Sequence, residues 1–231
     1  MRFIPLFLLA SVSLTCFINN IYGEETESRI RYVPIGDSYT IGEGASLERS
    51  WPALLVKHLQ ASGIHIKLLT NPSKTGWTTQ NGIDYELPIY ESLRPTFATL
   101  LIGVNDWVQG VDIETFRQRL AFLLDKMLEI LPQKDHLLLV TIPDFSATPK
   151  GAMYGRGRNI SSGIAEFNKI IIKEAKGRGL TVVDIFPISQ NMKENFSLIS
   201  HDGLHPSGKE YGLWEELIYK EAYKILSKST K

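Results

Sequence analysis

From residue 31 onward, short runs of apolar residues alternate with longer segments whose apolar residues recur every three or four positions. Short apolar runs are typical of strands covered on both faces, and the longer spacing is typical of helices with one buried stripe. The predicted strands are 31–36, 64–70, 96–103, 136–142 and 180–186. The predicted helices are 50–63, 113–131, 160–179 and 206–226.

This alternation of strand and helix predicts an α/β fold, with a parallel sheet of five strands and helices on both faces. One residue fits poorly, because Pro34 lies inside the first strand and has no N–H group for a central ladder. In open sheets of this kind, ligands bind outside the carboxyl ends of the strands. Polar residues at those ends are therefore the candidates for catalysis or binding.

The first 23 residues differ from the rest of the chain. Arg2 is followed by an apolar run over residues 3–18, and Gly23 precedes an acidic stretch. This pattern predicts a secretory signal peptide over 1–23, cleaved after Gly23, and a single domain over 24–231. A retained membrane anchor is the alternative, but the run is shorter than the roughly 20 residues that a span needs. We expect an exported protein, periplasmic or extracellular.

Charge and cysteine content narrow the function classes. Lys plus Arg and Asp plus Glu both number 25, so no basic field attracts nucleic acid or an anionic membrane. Cys16 is the single cysteine and lies in the predicted leader, which leaves no disulfide, thiol nucleophile or cysteine metal site after cleavage. With no set of two or three ligating histidines either, we expect no metal and no cofactor. We expect a monomer.

Ser38 is the first candidate for chemistry, in "GDSYT" directly after the first predicted strand. A serine there can be a nucleophile at the start of a helix, or it can simply cap a turn together with Asp37. From these residues alone, both interpretations stay open.

A base and its orienting carboxylate are both present in "DGLHPSG". Asp202 lies three residues before His205, and Gly203 allows the sharp turn that would bring the two side chains together. His201 is a competing base, and a helix-capping aspartate beside an incidental histidine is the structural alternative. Gly76 and Asn105, in the loops after the second and third strands, are candidate donors to an oxyanion.

The stretches "GDSYT", "KTGWTT", "IGVND" and "DGLHPSG" occur in this order over residues 33–206. Together they resemble the four motif blocks of the SGNH, or GDSL-type, lipase and esterase hydrolases. The resemblance implies a flavodoxin-like three-layer α/β/α sandwich and a serine ester hydrolase. It implies Ser38 as nucleophile, Asp202 and His205 as orienter and base, and oxyanion donors from Ser38, Gly76 and Asn105.

The neighbours of these residues receive supporting or substrate-binding roles. Asp37 and Asp106 are expected to hold the loops through backbone N–H groups. Trp77, Trp107 and Tyr154, with Tyr39, are candidates for lining a substrate pocket, because aromatic rings bind acyl chains, aryl groups and sugars alike. The loop over 145–159 is expected to be a solvated basic turn rather than a lid.

We therefore expect an esterase acting on small-molecule esters with short or medium acyl chains. The alternatives are a lysophospholipase or lipase, a carbohydrate O-deacetylase, an acyltransferase, and a non-catalytic binding protein of the same fold. A nucleotide binder is disfavoured, because "GDSYTIGEG" lacks the glycine spacing and lysine of a phosphate-binding loop.

Overall fold

A computed structural model describes residues 30–228, so the predicted leader at 1–23 lies outside the described residues. The described chain contains one five-stranded sheet with strand order β2-β1-β3-β4-β5, and every neighbouring pair is parallel. The strands are β1 Ile30–Gly36, β2 Ile66–Leu68, β3 Phe97–Leu101, β4 Leu137–Val140 and β5 Thr181–Val183. This order is the flavodoxin-like one, as predicted.

Helices flank the sheet in two groups. The helix α2 packs against α9, and α4 and α7 pack against α6. The helices are α1 Ser38–Ile41, α2 Trp51–Ala61, α3 Thr79–Asn81, α4 Leu87–Leu93, α5 Val104–Gln109, α6 Ile113–Ile130, α7 Ile160–Gly177, α8 Phe186–Ser189 and α9 Gly208–Leu226. The predicted α/β/α sandwich is confirmed. Within residues 30–228, no helix combines the length and the apolar character needed to cross a membrane.

Pro34 lies in β1, inside the sheet, and the register explains why it is tolerated. Ile30 N–H and Tyr32 C=O both bond to the β2 side of the strand, at His65 and Leu69. Because alternate residues of a strand bond to the same side, Pro34 also faces that side. The pairing with β2 ends at Tyr32, so the missing N–H of Pro34 removes no ladder hydrogen bond.

The core lies on both faces of the central strands. Every residue of β3 and β4 is buried, as the continuous apolar runs predicted. The stripe of α6 is buried as predicted at Phe116, Leu120, Leu123, Leu124 and Met127. All the strands after β1 are shorter than predicted, and β5 is the clearest case because it ends at Val183 rather than at 186.

Several helical segments were not predicted, α8 among them, and two others bear on the site. One is a continuous stretch formed by α3, a π-helical segment at Gly82–Glu86, and α4. Gly82 and Pro88 interrupt its sequence pattern, and both residues disfavour a helix interior. The other is α5, in a stretch that we expected to be loop after β3.

Candidate active site

A cleft of about 450 Å³ opens where the strands end. Ser38 follows β1 and Asn105 follows β3, at the point where the strand order reverses and such sheets bind ligands. The residues that line the cleft are Ser38, Tyr39, Glu43, Thr75, Gly76, Val104, Asn105, Val108, Phe145, Lys150, Tyr154, Asp202, Leu204 and His205. All five predicted residues of the serine, base, carboxylate and oxyanion set therefore border one cleft.

The turn from β1 into α1 fixes the position of Ser38. Asp37 is the N-cap of α1, and its Oδ1 accepts from the Tyr39 N–H at 3.0 Å. A side chain at Gly36 would lie 2.2 Å from Thr40 Oγ1 and 2.3 Å from the Leu101 carbonyl, so only glycine allows this close approach. Ser38 is 5% exposed at the base of the cleft.

The loop before α9 holds the histidine and aspartate together. His205 Nδ1 lies 2.7 Å from Asp202 Oδ2, and Asp202 Oδ1 accepts from the N–H groups of Leu204 and His205. Gly203 has φ +74°, which provides the predicted sharp turn. With Asp202 accepting from Nδ1–H, Nε2 of His205 is left to accept a proton.

The electrostatics of this loop favour a charged Asp202. Partial burial acts to raise the pKa of the Asp202 carboxyl, but hydrogen bonds from Leu204 N–H, Ser200 and His205 outweigh it and hold the pKa well below its usual range. A carboxylate that stays ionised can orient the imidazole and stabilise the imidazolium. His201, the competing base, is exposed and does not border the cleft.

Glu43 is a cleft residue that the sequence analysis missed. Its Oε2 lies 3.8 Å from His205 Nε2 and accepts from the Thr75 hydroxyl. Ser38 Oγ and His205 share the cleft without a direct hydrogen bond, and such bonds often shorten only when substrate binds. Glu43, Asp202 and His205 also place ligand atoms within 4.8 Å of one another, as a metal site would. Both oxygens of Asp202 are already engaged within its own loop, which fits an orienting role better.

Three potential donors belong to residues that line the cleft, Ser38, Gly76 and Asn105. Within residues 30–228, the backbone N–H groups of Ser38 and Gly76 donate to no protein backbone acceptor. Asn105 donates one amide hydrogen to the Trp77 carbonyl at 2.9 Å, which fixes the amide plane and leaves a second N–H. Preorganised donors of this kind stabilise an oxyanion without reorganisation during the reaction.

Buried carboxyls anchor the loops behind these residues. Asp106 accepts from the Thr79 N–H at 2.8 Å and its hydroxyl at 2.6 Å, and Asp37 accepts from Tyr39, so both make the expected backbone bonds. Burial raises the pKa of Asp37 to about 8 and also raises the pKa of Asp106. Glu86, which no sequence motif indicated, is fully buried and accepts from the Gly36 N–H at 2.9 Å.

The aromatic candidates separate into two sets. Tyr154 borders the cleft and is 40% exposed, and Tyr39 borders it with its ring in an edge-to-face arrangement with His205. Trp107 instead lies in the core against Phe145, and Trp77 stacks on Tyr85. The structure therefore places Trp77 and Trp107 outside the set of cleft-lining residues, where they support the motif loops.

The loop over 145–159 is more ordered than a solvated turn. It contains 3-10 helices at Phe145–Ala147 and Gly151–Gly155. The Arg158 guanidinium lies 3.9 Å from the centre of the Trp107 ring and donates to two carbonyls of α5. The basic residue that we expected to be solvated thus ties the loop to the helix after β3.

The remaining histidines have structural contacts or lie on the surface. His58 stacks on Tyr219 and lies 3.1 Å from Glu215. His136 is buried and bonds to the Thr96 carbonyl, and His65 is exposed at the edge of β2. His205 is the histidine that the cleft contains.

A parallel α/β sheet whose carboxyl edge brings serine, histidine, aspartate and candidate oxyanion donors into one cleft is the arrangement of a serine hydrolase of carboxylic esters. The comparison with known families agrees. The chain belongs to the GDSL-like lipase/acylhydrolase family, whose profile matches residues 35–213. It is a carboxylic ester hydrolase of that family.

Individual relatives are distant. A multidomain esterase of Ruminococcus flavefaciens is 29% identical over 136 residues, which are 58% of this chain but only 16% of that protein. An arylesterase of Vibrio mimicus is 25% identical over 192 residues, covering 83% of this chain and 88% of the relative. The family 3 carbohydrate esterase of Clostridium thermocellum has the same fold, with a TM-score of 0.69 at 20% identity over 87% of this chain and 99% of that one.

Proposed function

We propose that the chain hydrolyses esters of short or medium acyl chains through an acyl-enzyme on Ser38. The observation that carries the proposal is the 2.7 Å bond between Asp202 and His205 Nδ1 at the wall of the cleft that Ser38 lines. A histidine held by a carboxylate on one nitrogen, with its other nitrogen able to take a proton from a serine of the same cleft, can activate that serine as a nucleophile.

In the proposed reaction, His205 Nε2 takes the proton from Ser38 Oγ as the oxygen attacks the ester carbonyl carbon. The bond between the carbonyl carbon and the alcohol oxygen then breaks, and His205 returns the proton to the departing alcohol. Water attacks the acyl-enzyme with the same proton transfers, which releases the acid and restores Ser38. Asp202 stays ionised throughout and orients the imidazole.

The negative charge that develops on the carbonyl oxygen needs donors that are already aimed. We assign this role to the N–H groups of Ser38 and Gly76 and to the Asn105 amide. The bond from Asn105 to the Trp77 carbonyl supports the assignment, because it holds the amide rigid before substrate binds.

The shape of the cleft supports a small acyl group. Its volume of about 450 Å³ lies at the lower end of the range for small-molecule sites. Val104, Val108, Phe145 and Leu204 give it apolar walls. The segment that follows β4 consists of short 3-10 turns rather than a long apolar lid helix.

A fluorophosphonate probe and a series of p-nitrophenyl esters test the proposal. We expect covalent labelling of the wild type and none of Ser38→Ala, with the highest kcat/KM between acetate and octanoate esters. Ser38→Ala should lose about 10⁴- to 10⁶-fold in kcat. A folded wild type that does not label would exclude an activated serine and favour a binding protein. Preference for a lysophospholipid or an acetylated sugar over all simple esters would favour those alternatives.

We also propose that the protein is exported. The support is the sequence of residues 1–23, with Arg2, an apolar run and Gly23 before an acidic stretch. Mass spectrometry of the exported protein should find Glu24 as its first residue. A cell-associated chain that still carries residues 1–23 would contradict cleavage.

A further inference from the structure

Glu43 is held in the cleft from two directions. Its carboxylate accepts from the Thr75 hydroxyl, and its main-chain carbonyl accepts from the Tyr211 hydroxyl at 2.8 Å. Thr75 directly precedes the proposed oxyanion donor Gly76. Glu43 therefore connects the segment after β1, which carries Ser38, to the loop that carries Gly76. The proposed reaction assigns no role to Glu43.

The position of Glu43 relative to His205 identifies the side of the substrate that it meets. In the proposed reaction, His205 Nε2 is the atom that returns a proton to the departing alcohol. Glu43 Oε2 lies 3.8 Å from that nitrogen. An alcohol oxygen within hydrogen-bond distance of Nε2 consequently carries its nearest substituents past the Glu43 carboxylate.

The other charged groups of the cleft do not neutralise this carboxylate. Asp202 is engaged with His205 and with backbone N–H groups. Lys150 is the cleft's lysine, but its side chain lies along Gly203, within 3.5–3.7 Å of where a Cβ would be, on the Asp202 loop. Among the ion pairs of residues 30–228, none joins Lys150 to Glu43. Apart from His205 itself, Glu43 therefore has no cationic ion-pair partner among residues 30–228, and its carboxylate lies beside the nitrogen that protonates the departing alcohol.

We propose that Glu43 determines specificity for the alcohol, favouring esters whose alcohol carries a cationic group close to the ester oxygen and disfavouring those with an anionic group there. The inference rests on the proposed function, because it uses the direction in which the alcohol leaves. A carboxylate with a side chain 37% exposed is partly desolvated in the cleft, where charge complementarity acts on bound substrate. Glu43 selects the substrate rather than orienting the base.

Two acetate esters of opposite charge test this role, acetylcholine and acetoxyacetate, with p-nitrophenyl acetate as an uncharged reference. In the wild type we expect a higher kcat/KM for acetylcholine than for acetoxyacetate. Glu43→Gln keeps the size of the side chain and removes its charge. It should lower that ratio about five- to tenfold, because one attractive and one repulsive interaction disappear together. The rate on p-nitrophenyl acetate should change less than threefold.

Glu48→Gln is the matched control. Glu48 is an exposed glutamate on the 3-10 helix Leu47–Arg49, does not border the cleft, and loses the same charge when substituted. In Glu48→Gln, the ratio of kcat/KM for acetylcholine to that for acetoxyacetate should stay at the wild-type value. An equal fall of the ratio in both variants would indicate a long-range charge effect and overturn the proposal.

Two further outcomes would also overturn it. An unchanged ratio in Glu43→Gln would show that the carboxylate does not meet the alcohol. A uniform loss of kcat on all three esters would show that Glu43 positions His205 instead. Failure of the wild type to label with fluorophosphonate would instead remove the proposed function itself, so the two failures are distinguishable.

Discussion

Glu86 provides a direct test of how the turn that carries Ser38 is stabilised. It ends the π-helical segment Gly82–Glu86, is fully buried, and accepts from the N–H of Gly36, two residues before Ser38. Glu86→Gln keeps an oxygen acceptor for Gly36 but removes the proton that the carboxyl can lose. The substitution therefore separates the effect of the hydrogen bond on stability from the effect of ionisation.

The pKa of Glu86 determines the expected size of the effect. Burial raises its pKa from 4.5 to about 8, the hydrogen bond from Gly36 opposes this rise, and the charge of Asp37 adds to it. Between these values the folded protein keeps a proton that the unfolded chain has released. The contribution to stability is thus fully present below about pH 4.5 and is lost as the pH rises through 8. Because protonation of Glu86 is linked to folding, the free energy of unfolding falls by about 1.4 kcal/mol per pH unit between these two pH values.

Urea unfolding at pH 5.5, 6.5 and 7.5 measures this slope. The free energy of unfolding of Glu86→Gln should rise relative to that of the wild type with increasing pH, by about 2–3 kcal/mol over the range. The buried amide N–H adds a constant penalty of about 1–3 kcal/mol, which does not change the slope.

The neighbouring Leu87→Ala is the control. Leu87 is buried and does not titrate, so its loss of about 2–5 kcal/mol should be the same at all three pH values. A difference between Glu86→Gln and wild type that does not vary with pH would refute the reasoning. It would mean that Glu86 is ionised in the folded protein across this range.

Four other substitutions, in three predictions, test the site. Asn105→Ala should lower kcat by about 10²- to 10³-fold with little change in KM, and an unchanged kcat in steady-state assays would contradict its role as a donor. Asp106→Asn, which weakens the bonds to Thr79, should reduce the free energy of unfolding by about 1–3 kcal/mol while activity survives. A folded Asp106→Asn protein without turnover would contradict this supporting role. Asp202→Asn should lose less kcat/KM than His205→Ala, since the base remains present, and equal losses at one pH would contradict that order.

The sequence predicted the sheet well because its strands are buried on both faces. Continuous apolar runs such as those of β3 and β4 are readily assigned to buried strands when the other segments of the chain show helical periodicity. The helical stretch from α3 to α4 could not be predicted in the same way. Its pattern is interrupted at Gly82 and Pro88, and packing against α6 overrides their poor helix propensity.

Contacts within the site were predictable where they are local. Asp202 and His205 lie three residues apart with a glycine between them, so sequence spacing alone suggested their hydrogen bond. Glu86 and Gly36 are 50 residues apart, and Glu43 and Thr75 are 32 apart. Sequence spacing does not predict contacts between residues that are this far apart in the chain.

The aromatic residues show a second limit of sequence reasoning. Trp77, Trp107 and Tyr154 all lie in loops at the carboxyl edge, yet only Tyr154 among them borders the cleft. A loop of unknown backbone path does not reveal which side of it a ring faces. Trp107 could be placed only with knowledge of α5, whose formation turns the ring toward Phe145.

Asp37, Glu86 and Asp106 together indicate that the carboxyl edge of the sheet, where the cleft lies, lowers the stability of the folded protein. Each is buried, each has a raised pKa, and each accepts a hydrogen bond from a backbone N–H at the end of β1 or in the first turn of α1 or α3. Apolar residues would avoid the desolvation, but they cannot accept hydrogen bonds from N–H groups that have no partner within the sheet or the helix. Asp37 Oδ2 even lacks a hydrogen-bond partner. Stability is therefore lost at the edge that holds Ser38 and Gly76, which is the exchange expected for the proposed active site.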